Sequence, residues 1–225
     1  MRPLIPVLVI AAVAACGRTP AAAVQPNAQE QSIAADSLAR SRLTELSGAV
    51  PGVVLDIRYA TANNFTGAPL PGYGVPRAFL RKEAALALAR VQSRLARSGY
   101  GLKVWDAYRP VRATLAMVAW CEATGRTSLL NDGYIARRSR HNQGVAIDLT
   151  VVELASGREL EMGTPFDEFS PRTHTATATG SVAEHRRLLG DAMAAEGFVN
   201  YVSEWWHFSF NVPDPMPFDL PLDRW

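Results

Sequence analysis

The sequence predicts an α+β domain with a central antiparallel sheet flanked by helices. Its 225 residues, 48% of them hydrophobic, suffice for one well-formed core but not for two large ones. Helical and strand periodicities are mixed along the chain without a regular βαβα alternation, and there is no internal repeat, which favours an antiparallel over a doubly wound parallel sheet. The stretch "ASGREL" (155–160) also reads as a turn folding a strand back on itself.

Taken in order, Arg2 precedes the apolar run "LIPVLVIAAVAA", which is too short to cross a bilayer comfortably and fits a signal-peptide core. The run closes on Val13-Ala14-Ala15-Cys16, a small-residue site similar to a bacterial lipobox. The expected organisation is a signal peptide over 1–15, a flexible tether over 16–35 lipidated at Cys16, and one domain over 36–225. The tether segment is rich in Ala, Gln, Pro and Asn and has no apolar period. An exported protein held at the cell envelope or in the periplasm follows, with the membrane reached through the N-terminal lipid. The 23 basic and 21 acidic residues are scattered, giving a formal charge of +2 and no basic stripe, so nucleic acid is not an expected partner.

Within the domain, "DSLARSRLTEL" opens on an Asp or Ser cap and predicts a short helix from Asp36. "GVVLDIRYA" has the β-branched content of a strand, and "TANNFTGAPLPGYGVP" after it is dense in turn residues. "AFLRKEAALALARVQSRLARSGY" places Leu80, Ala84, Leu88, Val91 and Leu95 at helical spacing and stops at Ser98-Gly99. "LKVWDAY" is a strand broken at Arg109-Pro110, and Pro110 suits the first turn of a helix running through Glu122. Cys121 on that helix reads as a small core residue, since no histidine or basic cluster adjoins it to activate a thiol. "VAIDLTVVEL" is a strand, "SVAEHRRLLGDAMAAEGF" a helix, and two short strands surround "VNYVSEWWHFSFNV".

Chemistry gathers around "SRHNQGVAIDLT". Strand periodicity puts Ala146, Asp148 and Thr150 on one face. His141 lies at an odd offset from Asp148, which a continuous strand would place on the opposite face, so the chain must turn between them. Gly144, tolerant of backbone angles closed to other residues, can supply that turn. A histidine nitrogen and a carboxylate oxygen are two of the three protein ligands of a catalytic zinc site. For the third, His185 sits among charged residues on a helix and His174 in a polar loop, both read as solvated. His207 instead begins the strand "HFSFNV", sharing a face with Ser209. Glu204 stands just before it, and a metal that activates water needs such a base.

The pattern Ser139-x-His141-x-x-Gly144-x-Ala146-x-Asp148 followed by Glu204-x-x-His207 resembles the zinc D,D-peptidases that share a fold with the hedgehog signalling domain. With "LDIRYATANNFTG", "WDAYRP", "MGTPFD" and "EWWH" in order, the chain is more closely similar to the VanX-type D-alanyl-D-alanine dipeptidases, from about Pro51 to the C-terminus. The resemblance implies one zinc ion per chain on His141, Asp148 and His207, with Glu204 as general acid/base. It implies that Arg109 stabilises the tetrahedral intermediate, that Asp167 receives the substrate ammonium, and that Ser139 and Tyr59 line the pocket. Arg140 stands where close relatives carry a small polar residue, and is expected to alter the pocket mouth. The implied reaction is hydrolysis of the D-alanyl-D-alanine dipeptide, and the export signal favours a role in cell-wall salvage. The alternatives are a D,D-carboxypeptidase acting on peptidoglycan stem peptides and a non-catalytic wall-binding module.

Overall fold

The computed structural model describes residues 27–225. The predicted signal peptide, Cys16 and the tether as far as residue 26 lie outside this range. The chain forms α1 (Ala28–Arg42), β1 (Leu43–Glu45), α2 (Leu46–Ala49), β2 (Val54–Leu55), β3 (Phe79–Arg81), α3 (Lys82–Ala96) and β4 (Tyr100–Asp106). It continues through α4 (Val111–Ala123), α5 (Ser128–Asn131), β5 (Ala146–Glu153), α6 (Gly180–Ala194), β6 (Phe198–Asn200) and β7 (His207–Phe210). Among the described residues no helix is long and apolar enough to cross a membrane.

The first helix begins at Ala28 rather than at Asp36, so residues 28–35, expected as flexible tether, are helical. The cause is local. Asn27 accepts a hydrogen bond from the Glu30 amide while the Glu30 carboxylate accepts one from the Asn27 amide, a capping box that starts the helix at Ala28. These first turns are solvent-exposed, and Ala39 is the first buried side chain.

Two predicted helices are each trimmed by a strand. β1 pairs antiparallel with β3, with Thr44 opposite Leu80 and Glu45 opposite Phe79, so the ends expected as helix form a small separate sheet. Phe79, Leu80 and Arg81 are buried there, and Arg77 clamps Glu45 through two hydrogen bonds of 2.8 and 2.6 Å. Non-local pairing has overridden helix propensity. The remainder of α3 buries Ala84, Leu88, Val91 and Leu95 as its period predicts.

The main sheet has the order β2-β4-β5-β7-β6 and is antiparallel except where the short edge strand β2 runs parallel to β4. Its register gives each face a distinct character. Leu102 pairs with Val151 and Val104 with Leu149, so one face is apolar. The other carries Lys103 opposite Thr150. A β-bulge at Trp105 then shifts the register, so that Asp106 and not Trp105 stands opposite Asp148. Asp148 in turn faces His207 on β7. Asp106, Asp148 and His207 thus form one row across three neighbouring strands, on one side of the sheet.

Candidate metal centre and active site

His141 approaches this row from outside the sheet. It sits on a 3-10 turn, Arg140–Gln143, whose N-terminus is capped by Ser139: the Ser139 hydroxyl accepts from the His141 amide at 3.2 Å. The turn ends at Gly144 with φ +67°, the reversal needed to bring His141 and Asp148 to the same side. Asn142 fixes the turn further by donating to the Arg109 carbonyl and to the Thr114 hydroxyl, each at 2.9 Å.

The His141 Nδ1 lies 2.7 Å from the Ala107 carbonyl, which can only accept, so Nδ1 carries the proton and Nε2 keeps its lone pair. That Nε2 is 3.2 Å from His207 Nδ1 and 3.4 Å from Asp148 Oδ2. His207 Nδ1 is also 2.9 Å from Asp148 Oδ1. One ligand atom from each of the three residues lies within 4.8 Å of the others. Burial holds His207 below the usual imidazole range, more than Asp148 draws it back. Burial opposes ionisation of Asp148, yet His141 and His207 hold its carboxyl far below the usual carboxylate range. Two imidazoles with converging nitrogens and one carboxylate form a donor set suited to zinc in a catalytic site.

Glu204 is buried, with an oxygen 3.9 Å from His207 Nδ1. Burial, reinforced by Asp148 and Asp167, pushes its carboxyl well above the usual range, while Arg109 opposes. A carboxyl so raised holds a proton more readily than an exposed one, as a group that takes up and returns a proton must. The Arg109 side chain stacks over Tyr59, with the guanidinium carbon 5.1 Å from the ring centre, and comes within 3.9 Å of Asp148. Burial would lower its pKa, but Asp106 keeps it firmly charged.

Asp167 has φ +60°, the sole non-glycine positive φ among the described residues, a conformation that strand and helix residues avoid. Its carboxylate accepts from the Tyr59 hydroxyl at 3.1 and 3.3 Å. Burial, then Asp148, push its pKa up to about 8. Tyr59, Arg109, Ser139, His141, Asp148, Asp167, Glu204 and His207 all line one cavity of about 260 Å³.

His185 and His174 stand apart from this cavity. The former is held to the Glu161 carbonyl, and both are only half-buried. Cys121 is buried in α4, and burial pushes its thiol up, away from nucleophilic use. Arg140, expected to alter the pocket mouth, does line the cavity, with its guanidinium held by the Phe210 carbonyl and the Asn211 side chain.

Asp106 is the residue that sequence reasoning missed. Fully buried, its Oδ2 accepts from Arg109 at 2.9 and 2.7 Å and lies 3.3 Å from His141 Nδ1, while its Oδ1 accepts from the Tyr73 hydroxyl. It therefore orients both an arginine and a histidine of the candidate donor set. The only signal was its position three residues before Arg109 in "WDAYRP".

Residues 39–216 match the family model described as D-ala-D-ala dipeptidase. A D-alanyl-D-alanine dipeptidase of Enterococcus faecalis is 39% identical, over 74% of this chain and 89% of that protein. One of Enterococcus faecium is 38% identical, over 80% and 97%, and one of Escherichia coli 33% identical, over 82% and 91%. Among solved structures, a zinc-bound mutant of the vancomycin-resistance D,D-pentapeptidase VanY has a TM-score of 0.36 at 18% identity, covering 59% of this chain and 73% of that one. With four fifths of the sequence inside the family's bounds, the chain belongs to the D-ala-D-ala dipeptidase family of peptidases.

Proposed function

We propose that this protein is a zinc-dependent dipeptidase that hydrolyses D-alanyl-D-alanine to two molecules of D-alanine. The observation that carries this reading is the convergence, in one cavity, of the His141–Asp148–His207 donor set, the buried acid Glu204 and the ammonium-ready Asp167. The D-configuration of the substrate is supported by the relatives alone, which are named for that dipeptide.

His141, Asp148 and His207 would hold the zinc, which when bound supplies a Lewis acid that makes water nucleophilic at neutral pH and polarises a peptide carbonyl. Glu204 accepts the proton of the attacking water on its carboxylate and delivers it to the leaving nitrogen as the peptide bond breaks. Arg109 places its guanidinium where negative charge develops on the carbonyl oxygen. Asp106 and Tyr73 keep it there, so little reorganisation is required during reaction. Asp167, aimed by Tyr59, pairs with the free ammonium and disfavours acylated peptides, which have no charge to offer it.

The organisation proposed for the rest of the chain is export by the N-terminal segment 1–15, lipidation at Cys16 and attachment to the envelope through the stretch that leads to α1. The supporting feature is the apolar run ending in Val13-Ala14-Ala15-Cys16. An enzyme placed there meets dipeptide released by wall turnover, which supports salvage of D-alanine. Cell fractionation with radiolabelled palmitate tests this: label and protein in the membrane fraction are expected, and loss of both in a Cys16→Ala variant. Unlabelled cytosolic protein would refute it.

The activity is tested by D-alanine release from D-Ala-D-Ala, L-Ala-L-Ala and N-acetyl-D-Ala-D-Ala, before and after chelation and zinc return. Cleavage of the free D,D-dipeptide alone, lost on chelation and restored by zinc, is expected. Preference for the acetylated substrate would convert the reading to a carboxypeptidase.

A further inference from the structure

A dipeptide is a zwitterion, and the residues so far described account for its ammonium but not its carboxylate. The cavity is lined by three arginines, Arg109, Arg138 and Arg140. Arg109 is committed to Asp106 by two hydrogen bonds. Arg140 is committed to the Phe210 carbonyl at 2.8 Å and the Asn211 side chain at 3.1 Å. Arg138 has no hydrogen-bond or ion-pair partner among the described residues. Its neighbour Arg137 is turned the other way, to Glu122 on α4 at 3.1 Å. Of two consecutive arginines, one braces the loop and the other reaches the cavity with its charge unspent.

From this inventory we infer that Arg138 receives the C-terminal carboxylate of the substrate, assisted by Ser139. A guanidinium offers paired N–H donors that match a carboxylate. Ser139 lines the same cavity beside it, and its oxygen already accepts from the His141 amide, which leaves the hydroxyl proton to donate. The pair lies on the segment that also carries His141, so the carboxylate is fixed close to the ligand set, and Asp167 holds the other charge of the same molecule. Two charge contacts of opposite sign set the permitted length: a free amine and a free acid must be one dipeptide apart. The inference rests on the dipeptidase reading.

The experiment compares D-Ala-D-Ala with D-alanyl-D-alaninamide, which lacks the terminal charge, on the zinc-loaded full-length protein and its Arg138→Ala, Arg138→Lys and Arg137→Ala variants. Wild type and Arg137→Ala should prefer the acid. Arg138→Ala should raise KM for the acid about tenfold or more, with kcat within about threefold, and bring the acid-to-amide ratio of kcat/KM toward one. Arg138→Lys should recover part of that preference, which a merely structural defect would not show. An unchanged ratio in Arg138→Ala, or a wild type indifferent to the amide, overturns the inference while leaving the dipeptidase intact. If wild type releases no D-alanine from the acid, the dipeptidase reading itself falls, and this inference with it.

Discussion

Asp106 and Arg109 are joined by two hydrogen bonds to a single carboxylate oxygen, at 2.9 and 2.7 Å, inside the protein and three residues apart. Breaking a buried pair from one side leaves the other charge unmatched, at about 3–5 kcal/mol. Asp106→Ala should therefore lower stability by about that much, measured by urea unfolding. Asp106→Asn, which keeps the shape, should fold better yet still lower kcat by at least about tenfold, because Arg109 and His141 lose the anion that aims them.

Glu204→Gln removes the proton carrier while leaving the three ligands in place. Turnover should fall by about 10²–10⁴-fold, the range typical of general acid–base catalysis. Zinc content by atomic absorption should stay at one per chain. An active variant would refute the role of Glu204, and a zinc-free one would show that it supports the ligand set instead.

The raised pKa of Asp167, about 8, gives a pH signature with a definite sign. In the metal-free fold the native state binds a proton that the unfolded chain has already released, between roughly pH 4 and 8. The melting temperature of the apo protein should accordingly fall as pH rises through that window, and fall less in Asp167→Asn. In the zinc enzyme the ammonium requires the ionised form, so KM for the dipeptide should decrease with rising pH until the substrate amine itself deprotonates. Asp167→Asn should flatten that limb.

Gly144 tests the turn between the two ligands. A side chain there would have to adopt φ +67°, with its Cβ overlapping the buried Leu43 side chain. Gly144→Ala should cost about 1–3 kcal/mol. Because the turn positions His141, zinc affinity in a competition titration should also weaken.

The approach of His141 to Asp148 was legible because a short offset next to a recognisable strand constrains where side chains go, whereas the joining of Glu204 and His207 to them, about 60 residues on, was expected from the family resemblance. The odd offset between His141 and Asp148 even called for the reversal that Gly144 makes. Asp106 was illegible for the opposite reason. Simple alternation from Lys103 would pair Trp105 with Asp148, and only the bulge, a property of two strands together, exchanges it for Asp106. β1 and β3 were hidden in the same way, since Leu43–Glu45 and Phe79–Arg81 continue helical patterns and are strands only because they find each other. The start of α1 was a different case. Its signal, Asn27 with Glu30, was local, but lay in a segment whose composition argued for flexible chain.

The row of Asp106, Asp148 and His207 is written in backbone register, with the side chains placed by counting along β4, β5 and β7. That makes the centre tolerant of changes in residue type around it and intolerant of changes in length. Loss of Phe208 or Ser209 from β7 would draw Trp206 into the place of His207 and turn the row inside out, although nearly every amino acid would survive. Insertions and deletions should therefore be depleted from these three strands in a library selected for activity, and accumulate in the turn-rich segment 61–69, ahead of the buried Leu70 and Tyr73.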